Sequence, residues 1–268
     1  MIIADTHVHF YPVFDMASLL NSAFDNLSRI AAKQNQKTED THLVLMLTES
    51  SRQDWFVDTY QQLNKGQAVE YGQWSIQRVA DDTRALDALS PNSKKIKIIQ
   101  GYQIVTKENL EVLGLCSKAR IADGASLDQT INSLLEQDAM PVLPWGVGKW
   151  LGTRGELVSA RITASTVGTV ALGDNGGRPG LFPYPRQFSI AKELGMAVYP
   201  GTDPLPIRGE EKRVGTCVSY IPQVATTGPL SAQIVHALKQ NSSESNGHHE
   251  LEGLFRFFRN QALLRLNK

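Results

Sequence analysis

Apolar and polar residues follow two kinds of pattern along the chain. Short apolar runs ending in polar residues read as buried strands, and longer stretches with apolar residues three and four apart read as helices. IIADTHVHF, HLVLMLTE, QWSIQRVA, KKIKIIQGYQIVT, EVLGLC, MPVLPWGVG, TVALGDNGGRPG and MAVYPGTDPLP carry the strand pattern, several of them running on into a polar loop. ASLLNSAFDNLSRIAAKQ, SRQDWFVDTYQQLNKG, SLDQTINSLLEQD, ELVSARITA, FSIAKELG, LSAQIVHALKQ and LEGLFRFFRNQALLRLN carry the helix pattern. Ser126 opens one helix, and Gly66 and Gly195 close two others. Between the last two helices NSSESNGHHE is polar and breaker-rich, so His248 and His249 read as an exposed loop pair.

Strands alternating with helices predict an α/β fold with parallel strands. Polar residues gather at the strand ends: His7 and His9, Thr48 and Glu49, Gln103, Trp145 and Lys149, Asp174 and Asn175, and Asp203. In a closed β/α barrel such ends converge on one face, whereas an open sheet spreads them along an edge. The expectation is therefore a single TIM-like β/α barrel over residues 1–268, (β/α)7 or (β/α)8.

Composition narrows the function classes. The 268 residues hold 27 Lys plus Arg and 27 Asp plus Glu, a formal net charge of zero, so no global field favours an extended nucleic acid. A local cationic pocket for one small anion is compatible with that balance. No apolar run reaches the roughly 20 residues that a membrane span requires, and no leader-like segment opens the chain. Cys116 and Cys217 stand far apart with no metal-like spacing and read as buried reduced thiols. These features point to the cytoplasm.

Four motifs carry candidate chemistry. His7-x-His9 on a strand puts both imidazoles on one face, within reach of one divalent ion. Asp203, in PGTDPLP, ends a late strand and supplies a third ligand if that strand lies beside the first; a turn-capping role is the competing reading. In GDNGGRP, Asp174 and Asn175 offer acceptors and Arg178 a fork for a carboxylate or phosphate, or the segment is simply a tight turn. In WGVGKW, Lys149 lies between Trp145 and Trp150, either as partner of an anionic substrate or as a surface lysine packed on the indoles.

The series of motifs resembles the PHP family, the polymerase-and-histidinol-phosphatase type of metal-dependent phosphoesterase. DTHVHF is similar to its opening motif, LMLTES to its second, GYQIVTKENLEVLGL to its third, MPVLPWG to the strand before its His-Pro, and AKELGMAVYPGTDPLP to its closing helix and strand. The likeness runs over about residues 1–206, leaving a C-terminal strand and helices in 207–268 to complete or cap the barrel. It implies a distorted barrel, commonly seven-stranded, with a multinuclear metal site. His7, His9 and Asp203 fall on family ligands, but Ser50, Gln103, Glu111, Trp145 and Leu205 stand where others are expected. A multinuclear site is thereby excluded, and one divalent ion at most is implied. DTHVHFYP and GTDPLP also resemble the amidohydrolase superfamily, although no histidine lies between His42 and His236.

The leading expectation is a hydrolase with one Zn, Mn or Fe on His7, His9 and Asp203, acting on a small anionic substrate such as a phosphate ester, or with an amidohydrolase or lactonase type of activity. Asp203, Glu49, Asp174 and Asn175 are its catalytic candidates, and Lys149, Arg178, Gln103 and Trp145 its substrate-binding candidates. A metal-free enzyme, with His7 or His9 as base, and a non-catalytic ligand-binding protein are the alternatives on the same scaffold.

Overall fold

The computed structural model describes residues 1–222, 227–240 and 247–266; residues 241–246, the first six of the NSSESNGHHE stretch, lie outside the described residues. The strands are β1 (Ile2–Val8), β2 (His42–Leu47), β3 (Glu70–Tyr71), β4 (Trp74–Val79), β5 (Asp82–Leu89), β6 (Lys95–Ile99), β7 (Gly101–Val105), β8 (Glu111–Leu115), β9 (Met140–Pro144), β10 (Ala171–Asn175), β11 (Val198–Gly201), β12 (Val218–Ile221) and β13 (Gly247–His248). The helices are α1 (Met16–Lys33), α2 (Trp55–Asn64), α3 (Leu127–Glu136), α4 (Thr153–Thr163), α5 (Arg186–Glu193), α6 (Leu230–Gln240) and α7 (Leu254–Leu266). Local signals place their starts: the Asp15 carboxylate accepts from Ser18 N–H before α1, and Ser126 with Gln129 forms a reciprocal capping box on α3.

The expected closed barrel is not formed. The strands sort into two open sheets, one of eight in the order β13-β12-β1-β2-β6-β5-β4-β3 and one of five in the order β11-β10-β9-β8-β7. Pairing is also mixed. β1, β2 and β6 run parallel, as do β9, β10 and β11, but β12 joins β1 antiparallel and β4, β5 and β6 pair antiparallel. The physical reason is that β12 fills one edge of β1 while β6 extends the sheet beyond β2. Hydropathy identifies a buried strand without naming its partner.

Alternation along β1 explains the layers. Ile3 faces α1, packing with Leu19, Leu20, Ala23, Leu27 and Leu45. Ile2 and Ala4 face the second sheet and share a core with Val44, Met46, Leu113, Val142, Ala171 and Tyr199. The outer side of the second sheet is covered by Ile131 of α3, Val158 of α4 and Phe188 of α5.

The two sheets touch where strands end. Glu49 forms a parallel bridge with Tyr102, and Asp203 N–H donates to the His7 carbonyl at 2.8 Å. The end of β1 is thus brought against the ends of β2, β7 and β11. Among the described residues no helix is long and apolar enough to cross a membrane.

Candidate metal centre

Asp5 organises the end of β1. It is fully buried, and its carboxylate accepts from the backbone N–H groups of His7 (3.3 Å), Thr202 (2.8 Å) and Gly215 (2.8 Å). Burial pushes its pKa up to about 6, against the opposing pull of hydrogen bonds from Thr202, Gly215 and His7. Asp5 therefore pins β1 to the segment after β11. Gly201 allows that approach, since a Cβ there would fall 2.6 Å from the His7 Cβ. The following Asp203 takes a left-handed backbone, φ +48°, which a short polar side chain tolerates better than most.

The two imidazoles meet with their Nε2 atoms 3.1 Å apart, and both rings are buried. The tautomer of His9 follows from its neighbour Gln53. The Gln53 amide donates to the Phe10 carbonyl and its Oε1 accepts from Ser50 N–H and Oγ–H, so that Oε1 is an acceptor. It lies 3.3 Å from His9 Nδ1, which must carry the proton. The Nε2 lone pair of His9 is left facing the centre. Burial, then His7, pushes the pKa of His9 down to about 4, with Asp203, Gln53 and Gln103 opposing, so the ring is neutral at pH 7.

Two oxygens complete the cluster. Gln103 Oε1 stands 3.1 Å from His7 Nε2, and Asp203 Oδ1 stands 3.5 Å from His7 Nε2 and 3.7 Å from His9 Nε2. Donors about 2.0–2.2 Å from one ion, at tetrahedral or octahedral angles, lie roughly 3–3.5 Å from each other. His7, His9 and Asp203 fit one divalent ion by that measure, each offering an atom within 4.8 Å of the others. Among the described residues no lysine or arginine pairs with Asp203. The histidine side chains are 2–4% exposed and that of Asp203 25%, so the centre opens on the Asp203 side.

Asn175 belongs here as well. Its Nδ2 donates to Asp203 Oδ2 (2.9 Å) and to the Trp145 carbonyl (2.6 Å), while its buried Oδ1 has no hydrogen-bond partner among the described residues. It orients Asp203 and has no titratable proton to transfer. Trp145 contributes through its backbone. Tyr11, not anticipated from the sequence, stacks on His9 with centroids 5.2 Å apart. Burial first, then the charges of Asp203 and Glu111, drive its hydroxyl pKa upward. The missed signal is spacing: Tyr11 stands two positions beyond His9, continuing the period of His7 and His9.

Other candidates lie apart from the centre or are already engaged. Lys149 is ion-paired with Glu111. Arg178 grips Asp174 through two bonds of 2.7 Å, Nε to Oδ1 and a terminal amine to Oδ2, and both side chains are buried. Arg178 is therefore not an open fork for substrate. Of His248 and His249, expected in an exposed loop, His248 is part-buried and pairs with Val218 from β13, while His249 is exposed and its Nδ1 lies 3.4 Å from Asp174 Oδ2. Glu49 sits beneath α2, where its Oε1 accepts from Phe56 N–H at 3.0 Å. Burial pushes its pKa up to about 7, and its Oε2 has no hydrogen-bond partner among the described residues.

No protein-family model matches the chain, and no curated protein matches it. Among solved structures it is similar to the crystal structure of PsfC from Pseudomonas syringae PB-5123, with a TM-score of 0.53 over 99% of this chain and 96% of that one. Identity is 14%, so the likeness is one of fold.

Proposed function

We propose that the protein is a metal-dependent hydrolase that carries one divalent ion, Zn, Mn or Fe, on His7, His9 and Asp203 and acts on a small anionic substrate such as a phosphate ester. The observation that carries this reading is the convergence of two imidazole nitrogens and a carboxylate oxygen on one point. The ordered likeness of the sequence motifs to the PHP family supports it. An ion bound there lowers the pKa of its water toward 7 and polarises the scissile group.

The protein's own groups hold that geometry. Gln53 fixes the His9 tautomer and Asn175 holds Asp203. Tyr11 covers one face of His9 and keeps water from it. Gln103 faces His7 as a neutral acceptor. Lys149 is the cation offered to the substrate, exchanging Glu111 for a substrate oxygen. The two buried free thiols suit a reducing compartment, and we place the protein in the cytoplasm.

One observation favours a metal-free enzyme as the second reading. If His7 Nε2 carries its proton, the 3.1 Å contact becomes a hydrogen bond to His9 Nε2, and His9 is a base in an imidazole chain beside Asp203.

Metal analysis of protein purified without chelator separates the two. About one equivalent is expected in the wild type and almost none in His7→Ala. Less than about 0.1 equivalent in the wild type, with no thermal stabilisation by added Mn, Fe or Zn, rejects the metal reading. Turnover of phosphate monoesters against amides and lactones then assigns the reaction class.

A further inference from the structure

A cleft of about 250 Å³ adjoins the metal centre. Phe10, Tyr11, Phe14, Met16 and Trp55 line it, together with Arg52, Gln53 and Asp54. Tyr11 and Gln53 belong to both places. Tyr11 stacks on His9, and Gln53 Oε1 lies 3.3 Å from His9 Nδ1. His7, His9 and Asp203 do not line the cleft, so it is a separate space.

Its walls are rings held edge to face. Phe10 meets Trp55 at 84° with centroids 4.8 Å apart, and Tyr11 meets Phe14 at 84° with centroids 5.4 Å apart. The Trp55 indole N–H donates to the Tyr71 hydroxyl at 2.9 Å, which anchors that wall. Such walls favour a flat ring, which packs against them stacked or edge-on.

The open charge at the cleft is positive. Arg52 is exposed and forms no ion pair or hydrogen bond among the described residues. The carboxylates bordering the cleft are engaged: Asp54 pairs with Arg120 at 2.8 Å, and Asp15 accepts from Ser18 N–H at the start of α1. Gln53 is engaged too, since its amide donates to the Phe10 carbonyl and its Oε1 accepts from Ser50.

We infer that this cleft is a binding site for a small aromatic anion, its ring between the aromatic walls and its acidic group on Arg52. A guanidinium takes a carboxylate or phosphate through two parallel hydrogen bonds and also lies favourably over a ring. The volume falls below the roughly 300–1,000 Å³ of pockets for drug-sized ligands, so the ligand has one or two rings.

Calorimetric titration with 2-naphthoate tests the site, with 2-naphthylmethanol as its uncharged counterpart. The wild type is expected to bind about one equivalent of 2-naphthoate, at least about tenfold more tightly than the alcohol. Arg52→Gln, at an exposed position where folding survives, is expected to remove that preference and leave the alcohol bound as before. His7→Ala is expected to bind 2-naphthoate as the wild type does, so the result stands even if the metal reading fails. No binding by the wild type, or equal affinity for acid and alcohol, overturns the inference. So does loss of 2-naphthoate binding in His7→Ala with retention in Arg52→Gln, which would place the carboxylate at the metal centre. Equal weakening by Lys65→Gln, at the far end of α2, would reduce the effect to general charge and overturn it as well.

Discussion

Asp174 and Asn175 are consecutive on β10, and because strand side chains alternate they serve opposite faces. On one face Asp174 lies beside His249 and is gripped by Arg178. On the other, Asn175 holds Asp203 beside His7 and His9. Both sites combine a carboxylate with histidine. In the first a guanidinium supplies the counter-charge and a buried ion pair is complete. In the second the partner is a neutral amide, and the Nε2 atoms of both imidazoles face the carboxylate. A histidine–carboxylate cluster therefore does not by itself mark a metal site. Who supplies the positive charge decides it, and at Asp203 we assign that role to the ion.

The strongest break of this comparison is Arg178→Met. It leaves Asp174 buried with only a histidine beside it and is expected to cost about 3–5 kcal/mol in urea unfolding, with metal content unchanged. A parallel loss of metal would mean that the two faces of β10 are not independent. Asn175→Ala is next. It frees the Asp203 carboxylate, and chelator competition is expected to show metal affinity reduced by about 10–100-fold, with a smaller change in metal-free stability.

Glu49 is the intermediate case, a buried carboxylate with neither an arginine grip nor a place in the cluster. Its pKa rises from 4.5 to about 7 in the folded protein. Below pH 4.5 both folded and unfolded chains hold the proton, so the group contributes nothing. Between 4.5 and 7 the folded chain keeps a proton that the unfolded chain releases more readily, so stability falls as pH rises, and the deficit is complete above 7. Glu49→Gln is expected to gain about 1–2 kcal/mol at pH 8 and nothing at pH 4, read from denaturant midpoints. The smallest effect belongs to the part-exposed counterpart of the Asp174–Arg178 pair. Lys149→Met, which breaks the pair with Glu111, is expected to change stability by less than about 1 kcal/mol while raising the KM for an anionic substrate.

Much of this was legible in short windows of sequence. The period of α1 and the apolar run of β1 both report burial directly. The His7 and His9 pair was readable because two residues apart on a strand is a statement about one face. β5 was missed because DTRALDAL carries charges that look like a loop. In the fold Asp82 accepts from Ser231 N–H and Oγ–H, Arg84 donates to the Cys116 carbonyl, and Asp87 meets two lysines of β6. Those partners are distant in sequence or settled by register, so nothing local advertised them. Arg178 shows the reverse error: its spacing of four from Asp174 was visible, but burial turned it from an anion receptor into an internal counter-charge.

By itself, then, the sequence determined most of the helices and many of the strands, that His7 and His9 share a face, and that Asp203 follows a late strand. These are consequences of backbone periodicity, which acts over a few residues. Only the tertiary structure decided that the strands form two open sheets rather than a closed barrel, that Asn175 and not Asp174 holds Asp203 beside His7 and His9, and that Lys95 and Lys97 share a single carboxylate. Each of those depends on which hydrogen-bonding edge or charge a distant segment brings alongside, and a hydropathy pattern carries no record of that choice.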